Sequence, residues 1–216
     1  MTDKITPRQF HDASGVEDWR VLASGASAHF RTGSFAAGVA LVDAIGKLAD
    51  AANHHPDVDL RYGGVTVRLV SHDVEGLSER DAKLALQISA AARDLGMTAD
   101  ASAVQDVGIA IDALATADVR PFWQALLGYQ EAGDDDLADP HSRWPSVWFQ
   151  QMGSPRRERN RVHVDVFVPH DQAEARVAAA VAAGGRMVSD QHAPAWWTLA
   201  DAEGNEADLA TWMGRD

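Results

Sequence analysis

The sequence contains no cysteine. That absence removes disulfides, thiolate nucleophiles and cysteine-based zinc sites, and it fits a reducing compartment. Long apolar runs are missing too. None approaches the roughly 20 residues that cross a bilayer as a helix, so no membrane partner is expected. The opening stretch, MTDKITPRQFHDASG, lacks a basic patch followed by an apolar segment and does not read as a secretory leader. These features together predict a cytoplasmic protein. Positive charge is scarce: 19 lysines and arginines face 32 aspartates and glutamates, a formal net charge of -13. Such a balance disfavours nucleic acid as a partner, because that binding needs a positive surface to release counterions. No lysine occurs beyond Lys83, and arginine and alanine dominate the rest of the chain, a bias of GC-rich, bacterial-type coding sequence.

What is present is an ordinary globular composition, 46% apolar and 24% charged. A chain of 216 residues suits one large domain or two small ones. The densest acidic run, Asp134-Asp135-Asp136, reads as a solvated loop, with a metal loop as the alternative.

Residues 5–20 read as a short helix or turn region ending near Trp19. Strand-like segments come next at Arg20–Leu22 and Ala28–Arg31, with Gly25 as a turn. Phe35, Val39, Val42, Ile45 and Leu48 recur every three or four residues and predict a helix buried along that stripe, with Ser34 as N-cap. The helix must stop near Asn53-His54-His55-Pro56, since the residue before proline avoids the helical region. Asp57, Asp59, Gly63 and Gly64 read as loop and turn. Val65, Val67 and Leu69 alternate with polar residues and predict a strand, with His72 just beyond it. Ser78 and Asp81 form a capping-box pair before a second helix. Its stripe is Leu84, Ile88, Ala92 and Leu95, and Gly96 is its stop.

The first domain is therefore expected over 1–97, a polar linker over 98–104 and a second domain over 105–216. The second half shows one pattern twice, about 55 residues apart. Val107–Ile111 and Arg161–Val168 are the opening strands, each followed by a helix. The second helix, Gln172–Ala183, starts at an Asp171…Glu174 capping box. Trp144–Gln151 and Trp196–Ala200 are later strands, Asp201–Gly204 is a turn and Asn205–Trp212 the closing strand. The fold class is α+β: an antiparallel sheet with helices on one face, then a duplicated βαβββ domain.

His54, His55 and His72 are the chemical candidates. Two adjacent histidines at a helix end and a third at a strand end can face one cleft. Imidazole both gives and takes protons near neutral pH. Zinc binding and plain surface or capping roles are the alternatives left open by spacing alone.

The segment Asp50…Asn53-His54-His55-Pro56, then Tyr62, His72 and Gly76-Leu77-Ser78-Glu79-Arg80-Asp81, resembles pterin-4a-carbinolamine dehydratases. That family carries an acid, a His-His-Pro, an aromatic, a later histidine and an aspartate at this spacing. Trp19 falls where the family has an upstream tryptophan. Asn53 stands where some members have an acid. The resemblance covers residues 5–95 and implies dehydration of a 4a-hydroxytetrahydropterin with neither metal nor redox cofactor. It implies that His54 and His72 transfer protons, His55 hydrogen-bonds the pterin and Asp81 orients an imidazole. Asp50, Trp19 and Pro56 would help bind substrate, with a core tryptophan as the alternative reading of Trp19. Relatives of this family form homo-oligomers, so a homo-oligomer is expected here.

The second half resembles the glyoxalase-like branch of the vicinal oxygen chelate superfamily over 103–213, through Phe122-Trp123…Leu127-Gly128, Asn160–Asp165 and Asp201–Glu206. Active members hold one metal with two side chains from each copy. His163 and Asp208 match two such positions. The other two fall near Gly108 and Gln150, so no catalytic metal is expected. Trp144, Trp148, Trp196, Trp197 and Trp212 read as core or as a cup for a flat ligand. Arg156, Arg157, Arg159 and Arg161 read as a solvated loop or an anion-attracting lid. Two other functions compete: a non-catalytic dimerisation cofactor, and a metal-dependent lyase or dioxygenase in the second domain.

Overall fold

The structure is a computed structural model that describes residues 4–133, 135–155, 163–211 and 213–214. The chain divides into two compact units, Met1–Asp106 and Val107–Asp216.

In the first unit, β1 (Lys4–Ile5) leads into α1 (Pro7–His11), capped by Thr6 and Gln9 in a reciprocal box. The hairpin of β2 (Arg20–Leu22) and β3 (Gly25–Arg31) turns at Gly25, whose φ of 134° is open to glycine alone. Helix α2 (Phe35–Ala52) starts at Ser34, whose hydroxyl accepts from Ala37 N at 3.2 Å. Strands β4 (Asp57–Arg61) and β5 (Gly64–Leu69) form a second hairpin. A 3-10 turn (His72–Val74), β6 (Leu77–Ser78), α3 (Glu79–Asp94) and β7 (Thr98–Ala99) complete the unit. The main sheet runs β2-β3-β5-β4, antiparallel throughout, with β7 also on β3. A separate ribbon pairs β1 with β6.

This unit departs from the sequence expectations in four places. Of the expected α2 stripe, Ile45 is buried and Val42 and Leu48 pack partly buried against the core, but Phe35 and Val39 are exposed, and Gly38, Leu41 and Ala49 complete the buried face. Small residues let the helix backbone lie close to the sheet: a Cβ on Gly38 would sit 2.4 Å from Leu60 Cδ1. Asp57 and Asp59 lie in strand β4 rather than a loop. Their side chains line an exposed edge, where Arg68 and Arg61 pair with them. The 98–104 stretch is not a free linker. Thr98 and Ala99 pair with β3, and Arg31 Nη2 reaches Asp100 at 2.6 Å. Leu95, expected in the α3 stripe, is exposed where the helix ends.

The second unit repeats one topology. Its first copy is β8 (Gly108–Ala113), α4 (Thr116–Leu127), β9 (Gln130–Ala132), β10 (Asp136–Ala138) and β11 (Ser146–Gln151). Its second copy is β12 (Val164–Phe167), α5 (Ala173–Ala182), β13 (Arg186–Ser189), β14 (Trp196–Ala200) and β15 (Glu206–Ala210). The sheets run β8-β11-β10-β9 and β12-β15-β14-β13, and in each the first and last strands pair in parallel. One apolar cluster draws on both copies, from Phe122 and Leu126 to Leu199 and Leu209.

The Asp171…Glu174 capping box does not form. Gln172 is the N-cap, already in a helical conformation after a 3-10 turn, and makes no side-chain cap. Asp136 opens a strand and Asp135 lies 3.9 Å from Arg120, so these two acids are not one loop. Of the tryptophans singled out in this half, Trp197 is buried, Trp144 and Trp148 are exposed, and Trp196 stacks on His192 at 4.2 Å. Asp134, the four arginines 156, 157, 159 and 161, and Trp212 lie outside the described residues.

Candidate active site

The first histidine pair is placed by the end of α2. Asn53 takes a left-handed φ of 46°, and His54 N bonds back to Ala49 O at 3.1 Å. This reversal turns His54 inward and His55 outward. His54 is 8% exposed; the His55 side chain is 60% exposed and its Nε2 lies 3.0 Å from Asp50 Oδ1. His72 enters from the 3-10 turn after β5 and is exposed. Pro56 is half-buried just before β4.

Asp81 connects these segments. It is wholly buried, and its two oxygens do different work. Oδ1 lies 2.7 Å from His54 Nε2. Oδ2 accepts from Ser78 N at 2.7 Å, closing the α3 capping box, and from Ser71 Oγ at 2.7 Å. Capping and histidine binding, which are rivals on the sequence, coexist in one carboxylate. Ser71 directly precedes His72, so Asp81 ties His54 to the turn that bears His72. Next along that turn, Asp73 is held below its ordinary carboxylate range, chiefly by its hydrogen bond with Arg80 and in small part by the nearby His54.

His54 makes no other side-chain hydrogen bond among the described residues. Thr32 Oγ1 is the one wholly buried side-chain polar atom there that lacks a partner. The free Nδ1 of His54 therefore touches solvent. An imidazole bound through one nitrogen with the other accessible is arranged for proton transfer at the second.

Trp19 is a correction. It is fully buried, donates from Nε1 to Ser89 Oγ at 3.1 Å and meets Phe30 edge to face, so it packs the core and walls no cleft. A cavity of about 320 Å³ opens between α2 and α3, lined by Leu48, Ala51, Ala52, Arg80, Lys83 and Leu84. None of the three histidines lines it.

In the second unit, His163, Asp165 and Asp208 bring three ligating atoms within 4.8 Å of one another. His163 Nε2 lies 3.2 Å from Asp165 and 3.6 Å from Asp208, and Thr198 donates to Asp208 at 2.6 Å. Asp165, facing Asp208 across the parallel pair, escaped the sequence reading; its alternation with Val164 and Val166 was the available signal. At the first-copy positions, Gly108 has no donor and the Gln150 amide leans on Gln151 O at 3.4 Å. A metal held by two side chains from each copy does not fit these residues.

Comparison with known proteins gives the same division. Residues 3–91 match the family described as pterin 4 alpha carbinolamine dehydratase, and residues 108–210 match the glyoxalase-like domain. A protein of Acidobacterium capsulatum, provisionally named a pterin-4-alpha-carbinolamine dehydratase, is 36% identical over 88 residues, 40% of this chain and 96% of its own length. One of the same provisional name from Nocardia farcinica is 42% identical over 93 residues, 43% of this chain and 98% of its own. Among solved structures, a transcriptional coactivator/pterin dehydratase from Brucella melitensis aligns with a TM-score of 0.40 at 22% identity, over 42% of this chain and 99% of its own. A fosfomycin resistance protein from Listeria monocytogenes aligns with a TM-score of 0.39 at 13% identity, over 50% of this chain and 92% of its own. The chain is thus a two-domain α+β protein with a histidine-bearing first domain. It belongs to the pterin-4-alpha-carbinolamine dehydratase family, and the residues after that domain match the glyoxalase-like family over 108–210.

Proposed function

We propose that the first domain dehydrates a 4a-hydroxytetrahydropterin to the quinonoid dihydropterin. The reaction removes the proton from N5, forms the C4a=N5 double bond and breaks the C4a–O bond. The departing hydroxyl takes up a proton and leaves as water. Nothing is oxidised or reduced, so one base and one acid suffice. His54 and His72 exchange these protons, His55 hydrogen-bonds the pterin with Asp50 behind it, and Pro56 shapes the edge of the site. Asp81 orients His54. The observation that carries this reading is the 2.7 Å bond from His54 Nε2 to a fully buried carboxylate, which leaves Nδ1 for the substrate.

The glyoxalase-like domain serves ligand binding or assembly in this reading, and the working protein is a homo-oligomer. The test is a dehydration assay on a synthetic 4a-carbinolamine, followed by absorbance. Replacing His54 by Ala should lower kcat about a hundred- to ten-thousand-fold, the usual worth of a proton-transfer group, with an unchanged circular dichroism spectrum. Near-normal turnover by that variant refutes the assignment. A wild-type chain that binds pterin without turnover favours the non-catalytic reading instead.

A further inference from the structure

Ser71 carries no motif signal, yet it occupies the junction of the site. It is 1% exposed. It is the N-cap of the His72–Val74 turn, but its side chain makes no cap there. The main chain does that work: Ser71 N donates to Gly76 O at 2.7 Å, and Ser71 O accepts from Val74 N at 3.2 Å and Gly76 N at 3.3 Å. The hydroxyl turns the other way, 2.7 Å from Asp81 Oδ2 and 2.7 Å from Ser78 Oγ. One residue therefore anchors the His72 turn through its backbone and the partner of His54 through its side chain.

Counting hydrogens gives the cluster a direction. Each hydroxyl donates once. If Ser71 gives its hydrogen to Asp81, the short Ser71–Ser78 contact must use the hydrogen of Ser78. Ser78 Oγ lies farther from Asp81, at 3.1 Å, and accepts from Arg80 N at 3.3 Å. The chain then runs Arg80 to Ser78 to Ser71 to Asp81. Both carboxylate oxygens accept, so His54 donates from Nε2.

We infer that Ser71 is a positioning residue for dehydration: its hydroxyl holds Asp81 in the rotamer that selects the Nε2–H tautomer of His54 and aligns that ring with His72. This role rests on the dehydratase reading. Ser71 acts through Asp81, so its loss changes the fraction of His54 in the working state rather than the binding of pterin.

The full chain is compared with Ser71→Ala, Ser71→Thr and Ser71→Cys. Turnover of the synthetic carbinolamine is measured, and the histidine nitrogens are observed by ¹⁵N NMR, with His54→Ala used to assign the His54 signals. Ser71→Ala should lose about tenfold or more in kcat with KM nearly unchanged, the worth of one hydrogen bond to a charged group. Ser71→Thr, which keeps the hydroxyl, should recover most of it. The His54 signals should show Nε2–H alone in wild type and Ser71→Thr, and a mixture of tautomers in Ser71→Ala. If Ser71→Ala does not fold, Ser71→Cys, a weak donor of similar size, takes its place with the same expectation. Wild-type kcat in the folded Ala or Cys variant, or an unchanged tautomer, overturns the inference. A wild-type chain that fails to dehydrate sinks the function reading alone, and the tautomer comparison still decides the role of Ser71.

Discussion

At the scale of single residues, Asp81 concentrates the most consequence in the fewest atoms. One oxygen serves His54 and the other serves the first turn of α3. Asparagine in its place offers one acceptor oxygen where His54 needs one and Ser78 N and Ser71 Oγ share the other. Either His54 Nε2–H or Ser78 N–H then meets an amide NH₂. Asp81→Asn should cost about 1–3 kcal/mol of stability, the penalty of an unsatisfied buried polar group, and should lower dehydration as well. Denaturant titration and the carbinolamine assay measure the two losses. A variant matching wild type in both would show that the carboxylate is no more than a spacer. A helix cap alone accounts for the first loss but not the second.

At the scale of elements, the end of α2 positions the His54-His55 pair. Pro56 bars the helix from continuing, and Asn53 reverses the chain at a positive φ of 46°. Left-handed backbone costs a residue with a Cβ roughly 1–2 kcal/mol, and asparagine less than most. Asn53→Gly should therefore hold or raise the melting temperature and keep the activity, while Asn53→Val should lower both. Thermal unfolding and turnover read this directly. Equal melting temperatures for the Gly and Val variants would mean that the turn geometry does not hold the pair in place. The α2 stripe shows the opposite logic. Gly38 packs against Leu60 and Val65 of the sheet and Ala49 is buried, whereas pattern reading favours the large Phe35 and Val39, which are exposed.

At the scale of the whole molecule, each unit has its own apolar cluster, from Phe10 to Met97 in the first and from Ile111 to Leu209 in the second. A fragment ending at Asp106 is expected to fold and to dehydrate the carbinolamine. A fragment ending at Met97 loses the pairing of Phe30 with Ala99 and the Arg31–Asp100 ion pair, so it should melt at a lower temperature. Equal melting of the two fragments would remove any structural role for residues 98–106. An inactive 1–106 fragment that is fully folded would place a needed contribution in the second domain. In that second domain the duplication is plain in topology, but the cluster of possible metal-ligating groups found among the described residues is not shared between the copies. His163, Asp165 and Asp208 all belong to the second copy.

The amino-acid order alone was enough for the α+β class, the repeated strand-helix-strand pattern and the family resemblance of the first half. These rest on local chemistry: a proline that ends a helix, a serine three residues before an aspartate, apolar residues alternating along a strand. It could not assign the buried face of α2, the burial of Trp19, the shared duty of Asp81 or the place of Ser71. Each depends on atoms many residues away in the chain. Trp19 is met by Ser89, and His54 by Asp81. Close packing decides which side chain meets which, and only the folded chain contains that information.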